Sequence, residues 1–328
     1  MKKLLGAQYL GGLACLLLLS GCGGSGGSGG GQRWANYNAS NGLDSNEVLG
    51  VTASGTTVYA STGDGLSIST NQGSTWTNTP EINGVGGDSL VTGSAISGST
   101  IYASTGDGLA VSTNGGTSWT HYTQANGLGN NEVTGVAVSG SSIYVSTIFG
   151  VSISLNNGSS WTSYTTANGL GGVNVNGVVV SGSTIYAATS GGLSVSVNGG
   201  STWTNYSTAN GLGSDTVSAV TISGSTIYAA TAGGLSVSIN GGTSWTNYTT
   251  ANGLGSSAVR GVAVSGSTIY AATGGGLSIS TDGGSSWANY TTSSGLGSNV
   301  VYGVAVSGTT VYAATSSGLS VSRTVTAG

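Results

Sequence analysis

Charge is scarce in this sequence. Asp, Glu, Lys and Arg together make up 4% of the chain, and only five residues are basic. A nucleic-acid partner needs a basic footprint to displace counterions from phosphates, so that class of partner is excluded. One histidine, His121, cannot build an imidazole-based triad or a multi-histidine metal site. The two cysteines, Cys15 and Cys22, permit no disulfide framework and no CxxC metal motif. There is no P-loop and no zinc-ligand spacing, and the many Gly-x-Gly runs read as turn punctuation. After residue 22 no segment shows the 3.6-residue apolar period of an amphipathic helix. No cofactor and no metal are expected.

Glycine is abundant, with 63 copies, yet 37% of the chain is apolar and its Val, Ile, Leu, Tyr and Trp residues are evenly spaced. That combination predicts many short strands joined by tight turns rather than disorder. The first residues read as an export signal. Lys2 and Lys3 give a positive start, and Leu13 to Leu19 form an apolar stretch too short to span a bilayer comfortably. Leu19-Ser20-Gly21-Cys22 then resembles the lipobox of bacterial lipoproteins. The resemblance implies cleavage before Cys22 and lipid attachment to it, hence a membrane partner through the anchor and a location in the cell envelope, at an outer membrane or the cell surface. Residues 1–21 are thus expected as signal, 22–31 as lipidated cysteine and tether, and 32–328 as the folded domain. The tether GGSGGSGGG would reach roughly 15–18 Å root-mean-square. The mature chain would keep three arginines against nine acids, a net charge of −6.

Tryptophans at 34, 76, 119, 161, 203, 245 and 287 recur every 42 or 43 residues. A period of that length points to a β-propeller of four-stranded blades. Each unit divides into strands A to D, for example VSAVTIS (217–223), TIYAAT (226–231), LSVSI (235–239) and the stretch from Trp245 to Tyr248. Small residues on B and tryptophan at D suit a blade that widens away from the axis. The chain begins with a lone D-type strand, RWANY (33–37), and ends with A, B and C types only. Pairing the two ends would complete one blade and remove two open sheet edges. The expected fold is therefore all-β: a seven-bladed propeller of antiparallel four-stranded blades, closed by the N-terminal strand and monomeric. Serines alternating along strand C, such as Ser194 and Ser196, must find hydrogen-bond partners between blades.

Six octapeptides precede the D strands: STNQGSTW (69–76), STNGGTSW (112–119), SLNNGSSW (154–161), SVNGGSTW (196–203), SINGGTSW (238–245) and STDGGSSW (280–287). They resemble the Asp-box, or BNR repeat, of sialidase-like propellers, with Asn in five copies and the family's acid only at Asp282. Asn and Asp can both accept a backbone hydrogen bond in a tight turn, so the motif reads as a staple that needs an acceptor rather than a charge. The NGLGSNEV-type loops followed by VAVSGSTIYAAT-type strands also resemble the two-component-regulator propeller repeat of bacterial sensor domains. The sialidase resemblance would imply an arginine triad, which three arginines spread over positions 33, 260 and 323 cannot supply.

Residues that break the repeat carry the remaining information. Eight of the nine acids fall in D–A or B–C loops, which share the face called top: Asp44, Glu47, Asp64, Glu81, Asp88, Asp107, Glu132 and Asp215. Phe149, the only phenylalanine, replaces a small B–C loop residue of the third blade. Leu49, Thr92, Thr134, Asn176, Ser218, Arg260 and Tyr302 are equivalent on the A strands and point toward the channel unless a bulge turns them. The candidate ligand-binding set is Asp44, Glu47, Asp64, Asp88, Asp107, Glu132 and Phe149, with Arg260 and Tyr302 across the channel. Its expected partner is a cationic ligand or an envelope or extracellular protein or glycan. The expected function is a non-catalytic binding or assembly module on an envelope lipoprotein. The alternatives are a glycan-active sialidase-like hydrolase and a surface spacer or adhesin without a defined ligand.

Overall fold

The computed structural model describes residues 33–79, 82 and 90–323. The export signal, Cys22 and the tether lie outside these residues, as do Glu81 and Asp88. Seven four-stranded antiparallel sheets follow one another around a common axis. Blades 1 to 6 span residues 48–79, 91–122, 133–164, 175–206, 217–248 and 259–290. Blade 7 combines Val301–Ser307, Thr310–Thr315 and Gly318–Arg323 with the N-terminal strand Arg33–Tyr37. The closure read from the sequence is the one observed: Arg33 opposes Arg323, Ala35 opposes Val321 and Tyr37 opposes Leu319.

Three kinds of contact bind one blade to the next. The first is aromatic. The tyrosine ending each D strand meets the tryptophan of the following blade edge to face, as in Tyr206–Trp245 at 5.9 Å and Tyr248–Trp287 at 5.8 Å. The closing strand obeys the same rule on both sides, Trp34 against Tyr290 at 5.9 Å and Tyr37 against Trp76 at 6.0 Å. Each such pair contributes about 0.5–1.5 kcal/mol beyond its buried area. Blade 1 ends its D strand on Thr79, so Trp119 has a threonine where its sisters have tyrosine.

The second contact answers the question of the strand-C serines. Ser194, Ser236, Ser278 and Ser320 are fully buried. Each accepts a hydrogen bond from a top-loop glycine N–H and donates to the middle asparagine of its own D strand; Gly213 N to Ser236 Oγ is 3.0 Å and Ser236 Oγ to Asn247 Oδ1 is 2.6 Å. That asparagine then donates back to the same loop, Asn247 Nδ2 to Gly211 O at 2.8 Å. Asn36 makes the identical relay for blade 7, with Ser320 at 2.6 Å and Gly295 O at 3.0 Å. In blade 2 both partners are replaced, by Ala110 and His121, which oppose each other in register. Burial pushes the His121 imidazole below its usual range, so it is neutral at pH 7.

The third contact is the octapeptide turn. Ser238 Oγ accepts from Gly242 N (2.8 Å) and donates to Asn240 Oδ1 (2.9 Å), while Asn240 Oδ1 also accepts from Ser244 N (3.0 Å). The second glycine is the seat of the preceding blade's tyrosine. A Cβ on Gly284, at φ +98°, would stand 2.4 Å from Tyr248 Cζ, whereas one on Gly283, at φ +71°, would meet nothing within 4 Å. The turn is therefore a staple between blades as well as within one. Blade 7 has no such turn, and its equivalent serine, Ser322, is buried without a hydrogen-bond partner among the described residues.

Around the axis every A strand carries a β-bulge between its first valine and the residue two on, from Val48/Gly50 to Val301/Gly303. The bulged residues are the ring noted in the sequence, Leu49 through Tyr302. Thr92, Thr134 and Asn176 turn sideways to the next blade, donating to the carbonyls of Val133 (3.0 Å), Val175 (2.5 Å) and Val217 (2.8 Å). The only helical residues described are six single 3-10 turns in the top loops, such as Thr250–Asn252. Each is closed by its own third residue, as where Thr249 N donates to Asn252 Oδ1 at 2.9 Å.

Two predictions follow from the staple. Gly284→Ala should lower thermal stability clearly more than Gly283→Ala, because both carry left-handed strain but only the former collides with Tyr248; equal losses in thermal melts would refute the seat. Asp282 accepts from the Ser286 hydroxyl (2.6 Å) and N–H (2.9 Å) and from the Ser280 hydroxyl (2.8 Å), and these bonds, led by the Ser286 hydroxyl, lower its pKa to about 2. A carboxyl depressed on folding stabilises fully above its unfolded pKa, near 4, and loses that stabilisation as pH falls through about 2. Asp282→Asn, which copies the five sister turns, should match wild type at pH 7 and lose less stability than wild type between about pH 4 and 2. Parallel acid limbs in pH-dependent melts would show that the carboxylate carries no such linkage.

Candidate functional site at the blade 7 to blade 1 seam

The loop that leaves the closing strand, residues 38–47, runs over the top of the molecule into blade 1. Its 3-10 turn Ala39–Asn41 is fixed by Asn41 Oδ1 accepting from Asn38 N (2.6 Å) and by Asn46 Oδ1 accepting from Ala39 N (3.1 Å). The equivalent acceptors elsewhere are Asn131, Asp215, Ser257 and Asn299. Asp215 therefore has a turn-capping role, with its Oδ1 2.7 Å from Thr208 N.

At this seam the loop departs from the repeat. Where five sister loops have glycine, at 129, 171, 213, 255 and 297, this one has Asp44. Asp44 keeps the loop-to-serine bond through its N–H (3.2 Å to Ser67 Oγ) and adds a carboxylate whose Oδ1 accepts from Thr62 Oγ1 (2.8 Å) and Ser67 Oγ (2.9 Å). Its Oδ2 is buried, has no partner among the described residues, and lies 2.8 Å from where a Cβ on Gly65 would stand. Asp44 is thus half strut and half uncommitted acceptor.

Three residues on, Glu47 reaches across the seam. The Tyr302 hydroxyl, from the bulge of blade 7, donates to Glu47 Oε1 at 2.7 Å. The Arg260 guanidinium, from the bulge of blade 6, lies over the face of the same ring, 5.1 Å from its centroid. A cation stacked on an aromatic face that hydrogen-bonds a carboxylate makes a charge-graded row over blades 6, 7 and 1. Arg260 Nη1 is buried with no hydrogen-bond partner among the described residues. Beside this row opens a cleft of about 490 Å³ lined by Ala39, Asp44, Ser45, Asn46, Glu47, Asp64, Tyr302 and Ser316. Asp64 enters it from the blade 1 B–C turn and is exposed.

The structure thus brings Asp44, Glu47, Asp64 and Tyr302 together and places Arg260 against Tyr302. Asp107 and Glu132 are exposed on the tops of blades 2 and 3 and line neither this cleft nor the next one described. Asp88 lies outside the described residues. Phe149, 53% exposed, sits in a separate top cleft of about 390 Å³ with Gln124, Gly129, Asn130, Thr165 and Val173. Val173, 44% exposed, escaped the sequence reading. Its signal was present: the loop reads LGGVN where its sisters place polar residues after Leu-Gly. Among the described residues no group of three His, Cys, Asp or Glu is placed to hold a metal ion. No described helix is long and apolar enough to cross a membrane.

No family model matches the chain, and no curated protein matches it by sequence. Solved structures do match. The extracellular domain of a protein called a hybrid two component system, from B. thetaiotaomicron, aligns with TM-score 0.74 and 16% identity over 90% of this chain and 42% of that one. YCF48 bound to D1 peptide aligns with TM-score 0.68 and 15% identity over 89% and 97% of the two chains. The GH74 enzyme of Niastella koreensis aligns with TM-score 0.61 and 24% identity over 86% and 44%. This chain spans less than half the length of the first and third of these. The likeness establishes the propeller fold.

The seam row generates its own test. Tyr302→Phe removes the bond to Glu47 but keeps the ring under Arg260, whereas Tyr302→Ala removes both. In thermal melts at low and high salt, the phenylalanine variant should lose about 0.5–1.5 kcal/mol and the alanine variant clearly more. Equal losses would mean that the arginine stack contributes nothing.

Proposed function

We propose that this chain is a cell-envelope lipoprotein whose propeller is a non-catalytic module that captures a protein partner on its top face. The observation that carries the reading is the seam cleft. In a molecule built from near-copies, three carboxylates, an aromatic hydroxyl and a stacked guanidinium gather at one place between blades. Six of the seven described acids belong to top loops, so the face presents a negative field that attracts cationic segments. The apolar notch around Phe149 and Val173 offers a second contact on the same face, suited to a side chain rather than to an ion. YCF48 bound to D1 peptide is a propeller of this fold with a peptide partner, which supports the reading. The octapeptides resemble Asp-boxes, and the lipobox at Leu19 to Cys22 supplies the anchor and the envelope location.

A glycan-active reading draws on one feature, the three carboxylates in a single cleft, since glycoside hydrolysis uses a carboxyl pair. One of the three, Asp44, is committed to Thr62 and Ser67. Arg33, at the opposite end of the blades from Arg260, cannot join an arginine clamp. A panel of fluorogenic glycosides should show no turnover above background; turnover lost on Glu47→Gln would replace the binding reading with the enzymatic one.

The binding reading is tested by affinity capture from envelope extract. The wild-type protein should retain a partner in low salt and release it as ionic strength rises. A Glu47→Gln/Asp64→Asn double variant, which spares the strut Asp44, should retain several-fold less. Equal capture by the two proteins would remove the cleft from the binding surface.

A further inference from the structure

The face opposite the cleft is built differently. Its A–B turns contain only Gly, Ser and Thr, and among its octapeptide turns the sole charge is Asp282, already bound by Ser280 and Ser286. Three large aliphatic side chains stand out from it. Leu155, Val197 and Ile239 are 69%, 70% and 76% exposed, the most exposed large hydrophobics in the described molecule. They occupy one equivalent position, the second residue of the octapeptide, on the successive blades 3, 4 and 5. Blades 1, 2 and 6 have Thr70, Thr113 and Thr281 there. Nothing in the turn requires an apolar residue at this position, since its hydrogen bonds come from the neighbouring Ser, Asn and Gly and the threonine turns make the same ones.

The closing strand starts on this same face. D strands run from the octapeptide end of a blade to its top, so Arg33, exposed, marks the bottom edge of blade 7. Blade 7 lies across the ring from blades 3 and 4. The chain between Cys22 and Arg33 therefore joins the bottom face at one margin, and the three aliphatics stand at the opposite margin. Apart from Asp282, the described acids are on the other face.

We infer that the bottom face rests on the bilayer, with Leu155, Val197 and Ile239 entering the boundary between headgroups and acyl chains and Arg33 among the headgroups. This inference rests on the lipoprotein reading for its anchor. The tether's roughly 15–18 Å reach keeps the bottom face close enough to touch the surface, and the three exposed aliphatics add apolar burial at the headgroup–acyl boundary to what the anchor holds. An anionic headgroup layer repels the acidic top and attracts Arg33, which orients the disc with its cleft outward. Orientation is the functional gain, because a partner arriving from outside then meets the top face.

The test uses the full chain in its native membrane. Single variants Leu155→Cys, Val197→Cys and Ile239→Cys, with Asp107→Cys as the top-face control, are labelled with an environment-sensitive fluorophore. Spin-labelled phospholipid is then added as quencher. Labels at 155, 197 and 239 should be quenched at least twofold and the label at 107 not at all. No quenching at the three positions, or equal quenching at 107, overturns the proposal. Blue-shifted emission without lipid quenching also overturns it, in favour of a protein seated on this face. Mass analysis of the peptide beginning at Cys22 reads the anchor separately. An acylated Cys22 with unquenched labels sinks the orientation alone. If Cys22 carries no lipid, the anchor reading falls, and the same labelled chains are added to phosphatidylethanolamine/phosphatidylglycerol vesicles, where quenching supports the face and its absence overturns it.

Discussion

The pairing of Arg33–Tyr37 with Leu319–Arg323 is the constraint on which the rest depends. Without it the ring has two raw edges, and blade 7 lacks the strand that presents tyrosine to Trp76 and tryptophan to Tyr290. The same strand delivers the chain to the loop at residues 38–47, so the step that closes the ring also sets Asp44 and Glu47 against blade 7. Closure has a local cost. The pairing interrupts the octapeptide series and leaves the Ser322 hydroxyl buried without a partner among the described residues, a loss of about 1–3 kcal/mol. Five backbone-paired residues and two aromatic contacts offset it.

A propeller of near-copies separates what maintains the fold from what is free to vary. The staples, the serine–asparagine relays and the tyrosine–tryptophan pairs recur because each blade must solve the same packing problem between the same neighbours. Where a blade drops one device, others remain. Blade 2 has neither relay partner, and Trp119 has Thr79 before it instead of tyrosine, yet Ile82, fully buried, packs with Leu66 and Val91 where sister loops place a leucine. The seam cleft arises from the opposite circumstance. Asp44 keeps the N–H bond that the repeat's glycine makes, and its carboxylate takes the Ser67 hydroxyl proton that sister serines give to their D-strand asparagine, while Asn78 still donates to Gly42 O.

The fold was legible in the sequence because the 42-residue period and the offset between the two ends are one-dimensional signals. The staple was legible as a turn, but its second task was not, since the tyrosine it seats belongs to the preceding blade. The relay was hidden for a different reason: Ser236 bonds Gly213 and Asn247, which come together only when the strands of one blade pair and its leading loop folds over them. The channel ring was half legible. Equivalence of Leu49 through Tyr302 could be read from the repeat, while the bulge that turns Thr92, Thr134 and Asn176 toward their neighbours needed backbone geometry. The acids of the candidate site stood out as departures from the repeat, but their grouping did not. Asp64 and Glu47 converge with Tyr302, more than 230 residues later, while Asp107 and Glu132 remain apart.

If the closing strand sustains both ring and cleft, its backbone amides should exchange with the fold and not as a loose end. Hydrogen exchange resolved to residues 33–37 and 319–323 is the direct measurement. The account predicts slow exchange in both segments, at rates close to each other and to those of the D and C strands of blades 4 to 6. Fast exchange at 33–37 while blades 4 to 6 stay protected would contradict it, and would leave the seam cleft without the strand that positions it.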